Sequence, residues 1–200
     1  APVAYPSGRF RGKGIVMSAG GRGLFAQTYV LVRHLRETLN CTLPIEIFYA
    51  GAEELPHAAI DDMERRFDQV RFVDAATAPE ARGVQLRGYQ MKGFAMYLTR
   101  FESALWLDGD SFPVRDPREL FEAEAFADPA AAVLWPDVCN MISVRPEAWA
   151  VFGEEPPPNH PVANRGHATT WVKGGCVEGL RAEVETGQIL LHKKRAWPAL

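Results

Sequence analysis

The chain has 200 residues, of which 47% are hydrophobic and 24% charged, the composition of a globular protein with a buried core. This composition excludes an intrinsically disordered, collagen-like or coiled-coil protein. Lys and Arg number 22 against 25 Asp and Glu, and a net charge of -3 does not indicate a nucleic-acid-binding protein. Any charged ligand must therefore be bound by a local group of residues.

The sequence contains no apolar run that approaches the roughly 18 residues needed to span a membrane. Residues 1–14 also lack the apolar stretch of a signal peptide, so we expect a soluble chain. Because the chain starts without Met and ends without a polar tail, we expect it to be a piece of a longer protein. We expect residues 1–13 to be flexible and residues 14–200 to form a single domain, truncated at its C-terminal end.

The cysteines are too few and too scattered for a disulfide framework, and they lack the paired spacing of a zinc site. Asn40-Cys41-Thr42 fits the acceptor pattern for N-glycosylation. Such a modification would require passage through a secretory lumen.

The first part of the chain alternates between strand-like and helix-like patterns. Gly14–Gly21 predicts a buried strand followed by a tight turn, and the spacing of apolar residues predicts an amphipathic helix over Leu24–Leu39. A second strand is predicted at Ile45–Ala50, part of a short helix at Asp61–Phe67, and a third strand at Val70–Val73. This order favours an α/β protein with a parallel sheet.

The later elements continue this pattern. A helix is predicted within Gly88–Phe101, and the apolar run Ala104–Leu107 predicts a further buried strand. A short helix, RELFEAEAF, is predicted to begin near Pro117, and a strand at Ala131–Trp135 is predicted to end at Pro136. The final element, GQILLHKKRAW, contains a short apolar run, Ile189–Leu191, and alternates poorly between apolar and polar residues.

Two carboxylates follow the strand that ends at Leu107. Asp108 and Asp110 are separated by Gly109, and alternate side chains of an extended segment face the same way. They can therefore bind one Mg²⁺ or Mn²⁺ ion that keeps open positions for the phosphates of a substrate. The alternative is a solvated turn in which Asp108 only caps the backbone.

Two further segments could bind a phosphate. Lys92 lies near the start of a predicted helix, where its charge would complement a phosphate, although it could equally be a solvated helix charge. Gly20, Gly21 and Arg22 follow the first strand and precede a helix, where backbone N–H groups can meet a nucleotide.

Polar residues suited to a sugar site occur near the ends of later elements. Asp137 follows a predicted strand, and Glu185, Gln188 and His192 lie in or next to the final element. A sugar site needs hydrogen-bonding side chains of these types, but each of them could also be an ordinary surface residue.

Seven runs, in order, resemble the α-mannosyltransferase family of fungal and protist Golgi enzymes. They cover about residues 14–200: GIVMSAGG, YVLVRHLR, LPIEIFYAG, GYQMKGFAM, LWLDGDSFPVRDPRELF, LWPD and ETGQILLHKKRAW. The resemblance implies a GT-A-like nucleotide-diphospho-sugar transferase fold, with a mainly parallel central sheet flanked by helices. It also implies Mn²⁺ (or Mg²⁺) as cofactor, GDP-mannose as donor, and transfer of mannose to a hydroxyl of a mannoside or glycan acceptor with retained configuration.

The resemblance also assigns roles to individual residues. Asp108 and Asp110 match the family's Asp-x-Asp motif and would bind the metal and the donor diphosphate. The turn containing Gly20, Gly21 and Arg22 would lie near the nucleotide, as would Lys92.

Three residues would belong to the catalytic or sugar site. Glu185 and Gln188 match a family segment that lines the sugar site, and Asp137 or Glu185 is a candidate nucleophile. Because GT-A enzymes usually take another metal ligand from a C-terminal segment, His192 is the candidate within this chain. The resemblance implies residence in the Golgi lumen, with a membrane anchor outside the chain.

Two other functions remain open from the residues alone. An Asp-Gly-Asp-Ser sequence after an apolar strand also occurs in phosphatases with an aspartyl nucleophile, although those place it on the first strand. The chain could also be a noncatalytic module that binds a sugar nucleotide without turnover.

Overall fold

The computed structural model describes residues 4–84, 86, 88–141, 170–171 and 182–197. The chain divides into two compact units, one of residues 1–133 with 187–200 and the other of residues 134–186. In the part that the structure describes, no helix is both long and apolar enough to cross a membrane.

Seven strands and five α-helices make up the regular structure of the described residues. The strands are β1 Lys13–Ser18, β2 Ile45–Tyr49, β3 Val70–Asp74, β4 Ser103–Leu107, β5 Ala132–Met141, β6 Thr170–Trp171 and β7 Ala182–His192. The helices are α1 Gly21–Arg33, α2 His57–Arg66, α3 Gln90–Leu98, α4 Arg118–Phe121 and α5 Lys193–Ala196.

The sheet of the first unit has the strand order β3-β2-β1-β4-β7. Its first four strands are parallel, with Ile15 of β1 opposite Ile45 of β2 and Leu105 of β4. The end of β7 pairs antiparallel with β4. The predicted mainly parallel sheet flanked by helices is therefore confirmed. In the second unit, β6 pairs antiparallel with Asn140 and Met141 of β5.

Both faces of this sheet are covered, which explains why its strands are continuous apolar runs. On one face, Val16 and Trp106 belong to the same buried cluster as Met91 of α3. On the other face, Phe72 of β3 packs against Phe25 of α1, with ring centroids 6.3 Å apart. Side chains of β1 alternate between these two layers.

Several predicted boundaries differ from those in the structure. Helix α1 begins at Gly21 and passes after Arg33 into a π-helical turn, His34–Thr38. The predicted helix after Pro117 ends at Phe121, and a separate 3₁₀ turn follows. Strand β5 was expected to end at Pro136 but continues to Met141, because proline removes one N–H donor while its φ remains compatible with extended backbone.

The segments at the two ends of the first unit pack together around Lys193. The Lys193 side chain is fully buried, and its Nζ donates hydrogen bonds to the carbonyl oxygens of Tyr97 (2.8 Å) and Thr99 (2.6 Å). The same Nζ lies 3.7 Å from the centroid of the Phe10 ring, which also packs against Trp197. Carbonyls at the C-terminal end of α3 and the face of an aromatic ring thus surround the buried amine.

The burial of Lys193 predicts a pH dependence of folding stability. Burial, with a smaller contribution from Arg9, lowers the pKa of Lys193 from 10.5 to about 7. Between these values the unfolded chain binds more protons, so this group makes the free energy of unfolding rise with pH, by up to about 1.4 kcal/mol per pH unit. Replacement of Lys193 by Met should remove this contribution, which urea unfolding between pH 7 and pH 10 would measure. If the free energies of unfolding of the unmodified protein and of Lys193→Met changed equally with pH, the prediction would be contradicted.

Candidate functional site

A cavity of about 250 Å³ opens beside the turn that follows β4. Its walls come from β1, α1, the start of α3 and the β4 turn. The lining residues are Ser18, Leu24, Gln27, Gly88, Tyr89, Lys92, Trp106, Asp108, Gly109 and Asp110. The structure thus brings Lys92, Asp108 and Asp110 to one cavity at the carboxyl end of a parallel strand, where α/β sheets commonly bind ligands.

The Asp108 carboxylate is held by a hydrogen bond to each of its oxygens. Lys92 Nζ donates to Oδ2 at 3.0 Å, and Trp106 Nε1 donates to Oδ1 at 2.7 Å. The backbone N–H of Asp108 donates to the Gly187 carbonyl of β7 at 2.7 Å. A carboxylate has about four lone-pair sites, so these bonds orient Asp108 and leave it able to bind a cation.

Asp110 differs from Asp108 in its surroundings. Its side chain is exposed and has no hydrogen bond or ion pair among the described residues. Both carboxylates line the same cavity, so Asp110 is available to a ligand while Asp108 is fixed by the protein.

Gly109 lets the turn that carries Asp108 and Asp110 approach α1. A Cβ at this position would lie 3.2 Å from Gln27 Cβ and 3.3 Å from Leu24 Cδ1, which is tighter than ordinary contact. The absence of a side chain at this position therefore serves the packing of the turn against α1.

His34 supports the segment that follows Asp110, a role that its sequence position did not indicate. Its Nε2–H can donate to the Pro113 carbonyl at 2.8 Å, and its ring centroid lies 5.8 Å from that of Phe112. Helix α1 and the π-helical turn that continues it therefore contact the loop on both sides of Asp110.

A second cavity of about 150 Å³ shares Ser18, Leu24 and Gly88 with the first. Of the three predicted residues in the turn between β1 and α1, Gly20 lines this cavity. Gly21 has a φ of 70° and makes the turn, and Arg22 is exposed and lines neither cavity.

The antiparallel register of β7 separates two of the predicted site residues. Gln188 is half-buried and pairs with Leu107, next to Asp108, whereas His192 pairs with Ser103 at the other end of β4. Five residues of extended chain between Ser103 and Asp108 span roughly 16 Å, so His192 does not reach an ion bound at Asp108 and Asp110. Burial, and to a lesser degree Arg195, lowers the pKa of His192.

Two other predicted residues lie in parts of strands where the structure describes only the backbone. Asp137 is part of β5 and Glu185 is part of β7, and their side chains lie outside the described part of the structure.

The described residues contain no group of three or more His, Cys, Asp or Glu side chains that could hold a metal ion. Two carboxylates beside one cavity nevertheless fit Mg²⁺ or Mn²⁺, because these ions are commonly bound by one or two carboxylates together with substrate phosphates and water. Asp108 and Asp110 would be the protein ligands.

The family described as "Mannosyltransferase putative" matches residues 12–200. Alpha-1,2-mannosyltransferase MNN24 of Candida albicans is 29% identical over 199 residues, which cover 92% of this chain and 27% of that protein. MNN21 of the same species, also named an alpha-1,2-mannosyltransferase, is 32% identical over 145 residues, or 68% of this chain and 22% of that protein. The chain thus spans about a quarter of the length of these curated relatives.

Solved structures of two glycosyltransferases are also similar to this chain. Apo-form GlyE of Streptococcus pneumoniae is 16% identical, with a TM-score of 0.46 over 94% of this chain and 36% of that one. An active-site mutant of LgtC is 13% identical, with a TM-score of 0.45 over 93% of this chain and 59% of that one.

The ion pair between Lys92 and Asp108 predicts opposite effects of one substitution on two ligands. Lys92→Met removes a positive charge that lies 3.0 Å from a metal-ligand candidate, so binding of Mn²⁺ alone should become several-fold tighter. The same change removes a cation that complements phosphate, so Mn²⁺-dependent binding of a nucleoside diphosphate should weaken. Calorimetry would measure both, with the exposed Lys194→Met as the control for net charge. Weaker binding of Mn²⁺ alone would contradict this assignment.

Proposed function

The chain belongs to the mannosyltransferase family, and on that basis we propose that it binds the donor in an enzyme that transfers mannose to a hydroxyl of a mannoside or glycan. The observation that carries this proposal is the pair of carboxylates beside the cavity at the end of β4, one fixed and one free among the described residues. Such a pair at the carboxyl end of a parallel strand suits a donor with a metal-bound diphosphate.

We propose GDP-mannose as the donor and Mn²⁺ or Mg²⁺ as the cofactor. When bound, the cation would neutralise the charge that develops on the diphosphate leaving group. The bond between the mannose anomeric carbon and the diphosphate oxygen breaks, and GDP leaves with the bonding electron pair. The oxygen of the acceptor hydroxyl bonds to the same carbon, and its proton passes to the departing diphosphate.

The residues of the cavity have distinct parts in this reaction. Asp110 binds the cation directly, and Asp108 is an oriented second ligand that also holds Lys92. The Lys92 ammonium stabilises negative charge on the diphosphate without needing to reorganise, since its side chain is only 14% exposed and already positioned. Gln188, beside Asp108 in the register, remains our candidate for the sugar side of the site, together with Asp137 and Glu185.

We propose that the product is an α-1,2 linkage, from the names of the relatives. We also propose that the whole protein acts in the Golgi lumen and that a segment outside this chain anchors it to the membrane. Asn40 is exposed in the loop before β2, with a φ of 51°, where a glycan could be added, in keeping with passage through a secretory lumen.

The assignment of Asp110 predicts a large loss of activity in Asp110→Asn. The amide has nearly the same shape but lacks the negative charge that binds the cation. Release of GDP from GDP-mannose with Mn²⁺ should fall roughly 100-fold or more, the scale seen when a charge-stabilising group is removed from an active site. Asp61→Asn, on the exposed side of α2, removes the same charge and should leave turnover unchanged.

Unchanged turnover in Asp110→Asn would refute the metal assignment. Two further results would favour the other functions that the sequence left open. Mn²⁺-dependent binding of GDP without cleavage of GDP-mannose would indicate a noncatalytic module. Release of phosphate from a simple phosphomonoester with Mg²⁺ would indicate a phosphatase that uses an aspartyl nucleophile.

A further inference from the structure

The second cavity, which we call the Glu54 cavity, is lined by four apolar side chains and one acidic group. Leu24, Phe48, Leu86 and Met91 provide apolar walls, and Glu54 is the one charged side chain among the described residues that line it. The remaining lining residues are Ser18, Ala19, Gly20 and Gly88. A flat apolar ring with hydrogen-bond donors along one edge fits such a cavity.

The Glu54 carboxylate is held in place by its surroundings. Its Oε2 accepts a hydrogen bond from the Ala50 N–H at 2.8 Å, and its backbone carbonyl accepts one from the Gly21 N–H at 3.3 Å. A Cβ on Gly20 would lie 2.9 Å from Oε2, so a larger residue there would displace the carboxylate from this position. Within the described part of the chain, Oε1 has no hydrogen-bond partner.

The two cavities are neighbours that share Ser18, Leu24 and Gly88. A molecule whose diphosphate lies at Asp108 and Asp110 can therefore extend its other end toward Glu54. In a nucleoside diphosphate that other end is the base.

We propose that the Glu54 cavity binds the base of the donor nucleotide and that Glu54 selects guanine. This inference rests on the proposed function. A carboxylate only accepts hydrogen bonds, and guanine presents two adjacent donors, N1–H and the 2-amino group, to its two oxygens. Uracil presents one N–H between two carbonyl oxygens, which would face the carboxylate unfavourably. Adenine and cytosine each place an acceptor nitrogen beside their amino group.

The substitution Glu54→Gln tests this selection while keeping the local turn. The amide oxygen of Gln can still accept the Ala50 hydrogen bond, but the amide nitrogen would then replace Oε1 and face the guanine donors. We would measure dissociation constants of GDP, inosine diphosphate and UDP in the presence of Mn²⁺. Inosine diphosphate lacks the 2-amino group and is otherwise identical to GDP.

We expect the unmodified protein to bind GDP more tightly than either of the other nucleotides. Glu54→Gln should weaken GDP binding roughly 10- to 100-fold, the range for loss of a hydrogen bond to a charged group, and should change UDP binding much less. The difference between GDP and inosine diphosphate should largely disappear. Glu53→Gln, which neutralises the exposed neighbouring carboxylate, should leave all three affinities unchanged.

Two results would overturn this inference while the proposed function stands. The first is an equal loss for GDP and UDP, which would mean that Glu54 contacts ribose or another group common to both. The second is unchanged GDP binding in Glu54→Gln. Tighter binding of UDP than of GDP by the unmodified protein would overturn this inference and would also contradict GDP-mannose as the donor. Absence of any nucleoside diphosphate binding by the unmodified protein would instead overturn the proposed function, and this inference with it.

Discussion

The hydrogen bonds to both oxygens of Asp108 connect the candidate site to the packing of the fold. One donor, Trp106, has its ring buried between α3 and the sheet, and the other, Lys92, comes from α3 itself. The position of the carboxylate therefore depends on how this helix packs against β4 and β1. A substitution at a core residue that does not line the cavity would therefore move Asp108 if it shifted α3, because cores transmit small changes in packing.

The local patterns of the sequence were enough to predict much of this arrangement. Apolar runs predicted the buried parallel strands, and a carboxylate pair directly after such a run predicted the position of Asp108 and Asp110. Lys92 was predicted because it lies near the start of the helix that leads into β4. Each of these inferences needs only neighbouring residues and the common geometry of α/β folds.

The contacts that sequence reasoning missed depend on pairings between distant segments. The register of β7 on β4 puts Gln188 near Asp108 and His192 far from it, and no local pattern specifies that register. Glu54 and His34 gain their positions from Gly20 and Pro113, which belong to other elements. Isolated Glu and His residues have no sequence signal that distinguishes such a position from an exposed one.

The buried Lys193 has a consequence for how the sequence can change. The Phe10 ring and two carbonyl oxygens together surround this amine, and its burial costs more free energy when any of these partners is lost. The effect of a substitution at Phe10 should therefore depend on the residue at position 193. The changes in the free energy of unfolding caused by substitutions at the two positions should not be additive. Two positions near opposite ends of the chain would then be constrained to vary together, as neighbouring residues in a core usually are.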